Sequence, residues 1–103
     1  MRARAALFTV VVGLLGTQVG CGGMYYTVSI NAAQTRVEQA RELGAETKAP
    51  FEYYYAREHL RQAQVEAAEA SYSDAASMAE TAETYAQKAI DRIQSQRKAE
   101  GSK

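Results

Sequence analysis

Alanine repeated at three- and four-residue intervals is the feature that most constrains how this chain folds. Residues 21–103 contain 17 Ala, whereas Leu, Ile, Val, Met and Phe together make up eleven of these 83 residues. So few large aliphatic side chains cannot build a deep core or a buried catalytic cleft. Small side chains at helical spacing let helix backbones approach closely, so the sequence predicts thin, closely packed helices.

Three segments carry an apolar stripe of this kind, and their period predicts an all-α fold. The first helix is expected at about 26–43, with Gly44 in the position of a C-cap. The second is expected at about 50–71, beginning with Pro50, and the third at about 73–98. The stripe positions are Tyr26, Ile30, Ala33, Val37 and Ala40, then Tyr53, Ala56, Leu60, Ala63, Ala67 and Ala70, then Tyr72, Ala75, Ala79, Ala82, Ala86, Ala89 and Ile93.

The connection between the second and third helices decides the topology. Ser71 and Asp74 are spaced as a capping box, and Ser73 is a rival N-cap. A short connection makes the two helices antiparallel neighbours, which gives an Ala-rich helical hairpin with a preceding helix in a three-helix arrangement. One unbroken helix through residues 71–74 is the alternative, because Ser, Tyr and Asp do not forbid helix.

The third helix has a wider apolar face than the second. Ala76, Met78, Tyr85 and Ile90 lie beside its stripe. Another element must cover this additional apolar surface. Either the first helix or a partner chain could do so.

Aromatic residues crowd the start of the second helix. Tyr53 fits the stripe, whereas Tyr54 and Tyr55 point in other directions. They either cap the end of the bundle under the preceding loop, expected at 45–49, or form an exposed patch for a protein or glycan partner. The candidate partner-binding residues are Phe51, Tyr54, Tyr55, Met78 and Tyr85.

The first twenty residues have the pattern of an export signal. Arg2 and Arg4 precede a dozen mostly apolar residues, a run too short for a permanent membrane span. Gly20 followed by Cys21 resembles the lipobox of bacterial lipoproteins. In that class the peptide is cut before the cysteine, the thiol receives a diacylglycerol and the new amine is acylated. An ordinary signal peptide with an incidental thiol is the alternative, and Gln18 departs from the usual lipobox aliphatic.

The lipobox resemblance implies a location as well as an anchor. The covalent diacylglycerol and acyl chain on Cys21 would be the only added groups, and the membrane the first partner. Gly22 replaces the Asp that resembles an inner-membrane retention signal in enteric bacteria, so the outer membrane, facing the periplasm, is expected. The expected organisation is a signal peptide over 1–20, a lipid-anchored linker over 21–25, a helical domain over 26–99 and a frayed tail over 100–103.

Catalytic and metal-binding constellations are not found in the sequence. His59 is the only imidazole and Cys21 the only thiol, so a zinc ligand set cannot be assembled. The serines have no histidine at a matched position, and paired carboxylates need a cleft to shift their pKa values. Twelve basic and twelve acidic residues cancel, which removes the electrostatic reason to bind nucleic acid. We therefore expect no enzyme activity, metal, small-molecule substrate or nucleic-acid partner.

A longer stretch, roughly residues 30–95, resembles a bacterial lipoprotein family catalogued as domain of unknown function 4398. The resemblance rests on an Ala-Pro-Phe-Glu-Tyr opening at 49–53, the run from Leu60 to Ala67 and the Tyr-Ser-Asp-Ala-Ala helix start at 72–76. It implies an envelope lipoprotein with a helical hairpin, often encoded with or fused to OmpA-like peptidoglycan-binding domains. It implies no catalytic residues.

The expected function is that of a non-enzymatic envelope lipoprotein, tethered through Cys21, whose helices mediate binding of a protein partner or self-association. Two alternatives stay open. Lys103 resembles the terminal Lys that joins lipoproteins of the murein-lipoprotein type to peptidoglycan. The chain could instead be an accessory subunit of an envelope transport or secretion complex.

Overall fold

The computed structural model describes residues 21–102, which form four helices and no strand. The predictions for residues 1–20, for the cleavage junction at Gly20 and for Lys103 lie outside the described residues. The all-α prediction, with three long helices, is confirmed. The helices are α1 (Cys21–Glu42), the short α2 (Ala45–Lys48), α3 (Pro50–Ala68) and α4 (Tyr72–Gly101).

The longest helix, α4, lies between the other two long helices. It packs along both α1 and α3, which contact each other far less. Towards one end, Ile30 of α1 shares a buried cluster with Ala63 and Ala79. Towards the other, Val37 shares one with Tyr53 and Ile90. The direction of α1 therefore matches that of α4, and α3 runs antiparallel to both, as the predicted hairpin requires.

The wide apolar face of α4 is covered by α1. Ala76 and Ile90, which flank the stripe of α4, are both buried. Ile90 belongs to the same buried cluster as Val37 and Ala40 of α1. Of the two covering elements considered from the sequence, the first helix is therefore the one that buries these residues.

Alanine supplies most of the core. Twelve alanines are buried, and none of them exposes more than 1% of its surface. Ile93 is the largest side chain that is fully buried. Because each alanine buries little area, the core depends on close backbone approach and on many dispersion contacts rather than on bulky side chains.

Gly44 ends α1 as the sequence predicts. Its φ of +85° lies in the left-handed region, which glycine adopts without steric cost. The predicted loop at 45–49 is wrong in detail, because this segment contains the single turn α2. Helical spacing places both Ala45 and Ala49 in the core, which explains why a turn of helix forms there.

The connection between α3 and α4 is a Schellman motif rather than a capping box. Ala70 has a φ of +62°. The Ser71 N–H donates to the backbone carbonyl of Glu66 at 2.9 Å, and the Ala70 N–H donates to that of Ala67 at 3.0 Å. Ser71 occupies the N-cap position of α4, but its side chain makes no capping hydrogen bond, and Ser73 lies inside the helix. The alternative of one unbroken helix is therefore wrong.

Three predicted boundaries need correction. Because α1 begins at Cys21, the expected linker at 21–25 is helical. The second helix ends at Ala68 rather than at residue 71, and Ala70 is exposed although the stripe placed it at the seam. At the other end α4 continues to Gly101, so residues 100 and 101 of the expected frayed tail at 100–103 are helical.

The packing of α4 predicts the effect of adding volume to its core. Ala86 is fully buried between helices, so Ala86→Leu should lower the free energy of unfolding by about 1–3 kcal/mol through overpacking. Ala99 lies on the same helix but is exposed, so Ala99→Leu should change it by no more than about 0.5 kcal/mol. Urea unfolding followed by circular dichroism measures both; equal effects would contradict close packing at Ala86.

Candidate functional site

Three aromatic rings meet on the surface where α3 packs against α4. The Tyr55 ring centroid lies 4.2 Å from that of Tyr85 and 5.8 Å from that of Phe51. Phe51 and Tyr85 are 6.4 Å apart in an edge-to-face arrangement. Phe51 is 65% exposed, whereas Tyr85 is half-buried against the core. We call Phe51, Tyr55 and Tyr85 the aromatic triad.

Polar groups border the aromatic triad. The His59 ring lies 4.2 Å from that of Tyr55, and its Nδ1 donates to the Tyr55 carbonyl at 2.9 Å. The Lys88 ammonium lies 4.4 Å from the centroid of the Tyr85 ring, a cation–π contact. The triad therefore has an apolar centre and a basic, hydrogen-bonding edge.

Helical spacing and antiparallel register together create this surface. Phe51, Tyr55 and His59 are four residues apart on α3 and so lie on one face, as do Tyr85 and Lys88 on α4. Next to them Arg92 of α4 forms a salt bridge with Glu52 of α3 at 3.1 Å. This ion pair joins the two helices in the same register that brings Tyr55 opposite Tyr85.

Two of the predicted partner-binding residues lie apart from the triad. Tyr54 packs edge-on against Tyr53, with 5.1 Å between ring centroids, and borders an open groove lined by Arg57 and Arg61. Met78 is half-buried and packs against the core cluster around Ala63. It precedes Tyr85 by two helical turns, or about 10 Å. The structure thus brings together Phe51, Tyr55 and Tyr85 and separates the other two.

The sequence interpretation missed the border of the triad. His59 follows Tyr55 by four residues, and Lys88 follows Tyr85 by three. The sequence alone therefore places each pair on one face of a helix. The pairing of Glu52 with Arg92, forty residues apart, required the register of α3 on α4, which spacing within one helix does not supply.

The family comparison matches most of the chain. A family model described as Domain of unknown function (DUF4398) matches residues 28–102. The chain belongs to the DUF4398 family. The matched region includes the aromatic triad and the buried alanines through which α4 packs on α1 and α3. It begins after Cys21, the predicted lipidation site. No curated protein and no solved structure shows significant similarity to the chain.

Ionisable groups in the described part of this DUF4398 protein form local pairs on the surface. Hydrogen bonds from Arg41 and Arg61 lower the pKa values of Glu38 and Glu58 respectively. Both pairs are three residues apart on one helix and more than half exposed, so they contribute little to stability. Within residues 21–102, no group of three or more His, Cys, Asp and Glu side chains is arranged to hold a metal ion.

Two further properties of the described helices are the hydrogen bonding of their buried polar atoms and their capacity to cross a membrane. Within the described range, every buried side-chain nitrogen and oxygen atom has a hydrogen-bond partner. None of the helices α1 to α4 combines the length and apolar character needed to cross a bilayer.

Tyr53 makes the stability of the DUF4398 fold sensitive to high pH. Burial of Tyr53 raises the pKa of its hydroxyl, and the nearby Glu46 carboxylate raises it further. The pKa of Tyr53 is higher in the folded chain than in the unfolded chain. The neutral hydroxyl therefore leaves the free energy of unfolding undiminished below about pH 10, and this free energy falls as the pH rises through the folded pKa. Tyr53→Phe should therefore unfold at higher pH than the wild type.

An alkaline titration followed by circular dichroism measures this shift. Tyr54→Phe is the matched control, because Tyr54 is the next residue and its ring is half-exposed in the folded chain. It should leave the midpoint of alkaline unfolding unchanged. A midpoint for Tyr53→Phe at or below that of the wild type would show that ionisation of this buried hydroxyl does not drive alkaline unfolding.

Proposed function

We propose that this DUF4398 protein is a non-enzymatic envelope lipoprotein, anchored in the outer membrane through acylated Cys21 and facing the periplasm. Its three-helix module binds a protein partner through the aromatic triad. The observation that carries the partner-binding part is a cluster of three contacting aromatic rings at the surface between α3 and α4, in which Phe51 and Tyr55 are exposed and Tyr85 is half-buried.

The triad has the composition of a protein-binding hot spot. Aromatic residues dominate the binding energy of interfaces when they lie at the centre of a contact and are ringed by polar groups. Here Lys88 and His59 border the rings, and the salt bridge between Glu52 and Arg92 lies beside them. A partner that covers Phe51 would remove a large exposed apolar surface from water.

The rings are held in place before a partner arrives. Tyr85 packs against the core cluster, and Tyr55 and Phe51 pack in turn on Tyr85. Side chains that are already ordered lose less conformational entropy on binding, which improves affinity without adding contacts. The triad is shared by two helices, so a partner that covers it contacts both, which favours a macromolecular partner over a small molecule.

The triad lies about midway along α4, away from the end of the module that carries Cys21. Cys21 is the first residue of α1, and Tyr26, five residues later, contacts Tyr72 at the start of α4 with 5.9 Å between ring centroids. Tyr85 follows Tyr72 by thirteen residues, or about 20 Å along the helix. An acylated Cys21 would therefore leave the triad clear of the lipid surface.

Site-specific crosslinking tests the partner-binding part. A photoreactive residue replacing Phe51 or Tyr55 should give a crosslinked adduct in intact host cells. One replacing Tyr54, exposed on another face of α3, should give far less. The variant Phe51→Ser with Tyr55→Ser should remove adducts formed from a photoreactive residue at position 88, while its helicity stays unchanged.

Each other outcome of this experiment has a defined meaning. Adducts from position 54 alone would contradict the assignment of the triad. Adducts between two copies of the chain would show that the triad mediates self-association rather than binding of a different protein. Loss of helicity in the double variant would show that the two rings act in packing, because Tyr85 would then have lost its cover.

The anchor requires a separate experiment. Cys21→Ala should abolish incorporation of labelled fatty acid and release the protein from the membrane fraction, since Cys21 is the only thiol of the chain. The wild type should carry acyl chains on a mature chain that starts at Cys21, which mass spectrometry measures. A wild type that is exported but carries no acyl group would indicate an ordinary signal peptide.

A further inference from the structure

The first two turns of α1 carry an exposed apolar face. Met24 is 71% exposed and Val28 is 67% exposed, and Tyr25 beside them is also exposed. These residues stand three, four and seven positions after Cys21, so they share one side of the helix with position 21. They point away from the core, because Ile30 and Ala33, which face α4, lie on the other side of α1.

Polarity on this outward side increases with distance from Cys21. Residues 21–35 contain no charged side chain, and Arg36 is the first. Beyond Val28 the outward positions are the neutral Asn31 and Thr35, followed by the charged Glu38 and Glu42. Such a gradient is typical of a helix that leaves an apolar layer and enters water.

The geometry of α1 brings this face to the lipid if Cys21 is acylated. Because the helix begins at Cys21, Met24 lies only about 4.5 Å and Val28 about 10.5 Å further along its axis. The headgroup layer of a leaflet is about 5–7 Å thick. The Tyr25 hydroxyl donates to Glu80 and the Tyr26 ring packs against Tyr72, so these turns contact α4.

We propose that the outward face of Met24 and Tyr25, with Val28 at its outer edge, meets the headgroup region of the membrane as a second, non-covalent contact beside the lipid anchor. This inference rests on the proposed acylation of Cys21. A second copy of the chain is a poorer occupant, because three side chains cannot supply the roughly 800 Å² per partner that a stable interface buries.

The charges at this end of the module define the lipid that fits. The α3–α4 connection lies at the same end, as the contact between Tyr26 and Tyr72 shows. Glu69 lies in this connection, Glu66 and Asp74 lie in the adjoining helix turns, and Glu80 accepts the hydrogen bond from Tyr25. Residues 21–35 and 62–79 contain no Lys or Arg. Within these ranges, the acidic side chains at this end have no neighbouring cation and are repelled by anionic headgroups, so a zwitterionic surface such as phosphatidylethanolamine is the expected one.

A series of single tryptophans tests this contact, because the chain has no Trp of its own. Met24→Trp, Val28→Trp and Thr35→Trp place the probe at three exposed positions on the outward side of α1. Each acylated mature variant, starting at Cys21, is reconstituted into vesicles of phosphatidylethanolamine and phosphatidylcholine with brominated acyl chains. Most of the Trp emission should be lost at position 24, less at position 28 and none at position 35.

Flotation of the same vesicles separates the failure of this inference from that of the proposed function. If the protein floats with the vesicles but no position is quenched, the anchor stands and the lipid contact is refuted. A blue-shifted emission without quenching at position 24 would show that protein rather than lipid covers the face. Equal quenching at position 35 would refute the gradient, and a wild type that fails to float would refute both proposals.

Discussion

Close packing through alanine is the interaction on which the rest of this structure depends. Along α4, Ala79, Ala82, Ala86 and Ala89 are fully buried, and only Ile93 adds a large side chain with no exposure. A core this thin holds few large side chains, so several other bulky residues remain at its margin. Leu60 and Tyr85 are only partly buried against it, and the surface position of Phe51 follows from the same lack of depth.

The two left-handed residues fix how the helices meet. Gly44 reverses the chain before α3, and Ala70 reverses it again before α4. At Gly44 the conformation costs little, whereas an L-residue such as Ala70 pays about 1–2 kcal/mol for it. The local Schellman hydrogen bonds and the packing of α4 on α3 offset that cost.

The sequence predicted the core of this fold well and its connections less well. Apolar spacing identified Ala33, Ala56 and Ala86 as buried, because helical period alone decides which side faces inward. The turn at Ala70 could not be predicted from side-chain capping, because its hydrogen bonds join backbone groups. The aromatic triad was predicted in part: spacing placed Phe51 and Tyr55 on one helix, but their contact with Tyr85 depends on the register of two helices.

The continuity of α1 links the two proposed surfaces physically. It runs without interruption from Cys21 to Glu42, so no flexible segment separates the proposed anchor from the three-helix module. An anchor held at one end of a rigid bundle restricts how the aromatic triad is presented to the periplasm. The orientation of the triad would then be set by the first two turns of α1, since their contact with lipid determines how the bundle stands on the membrane.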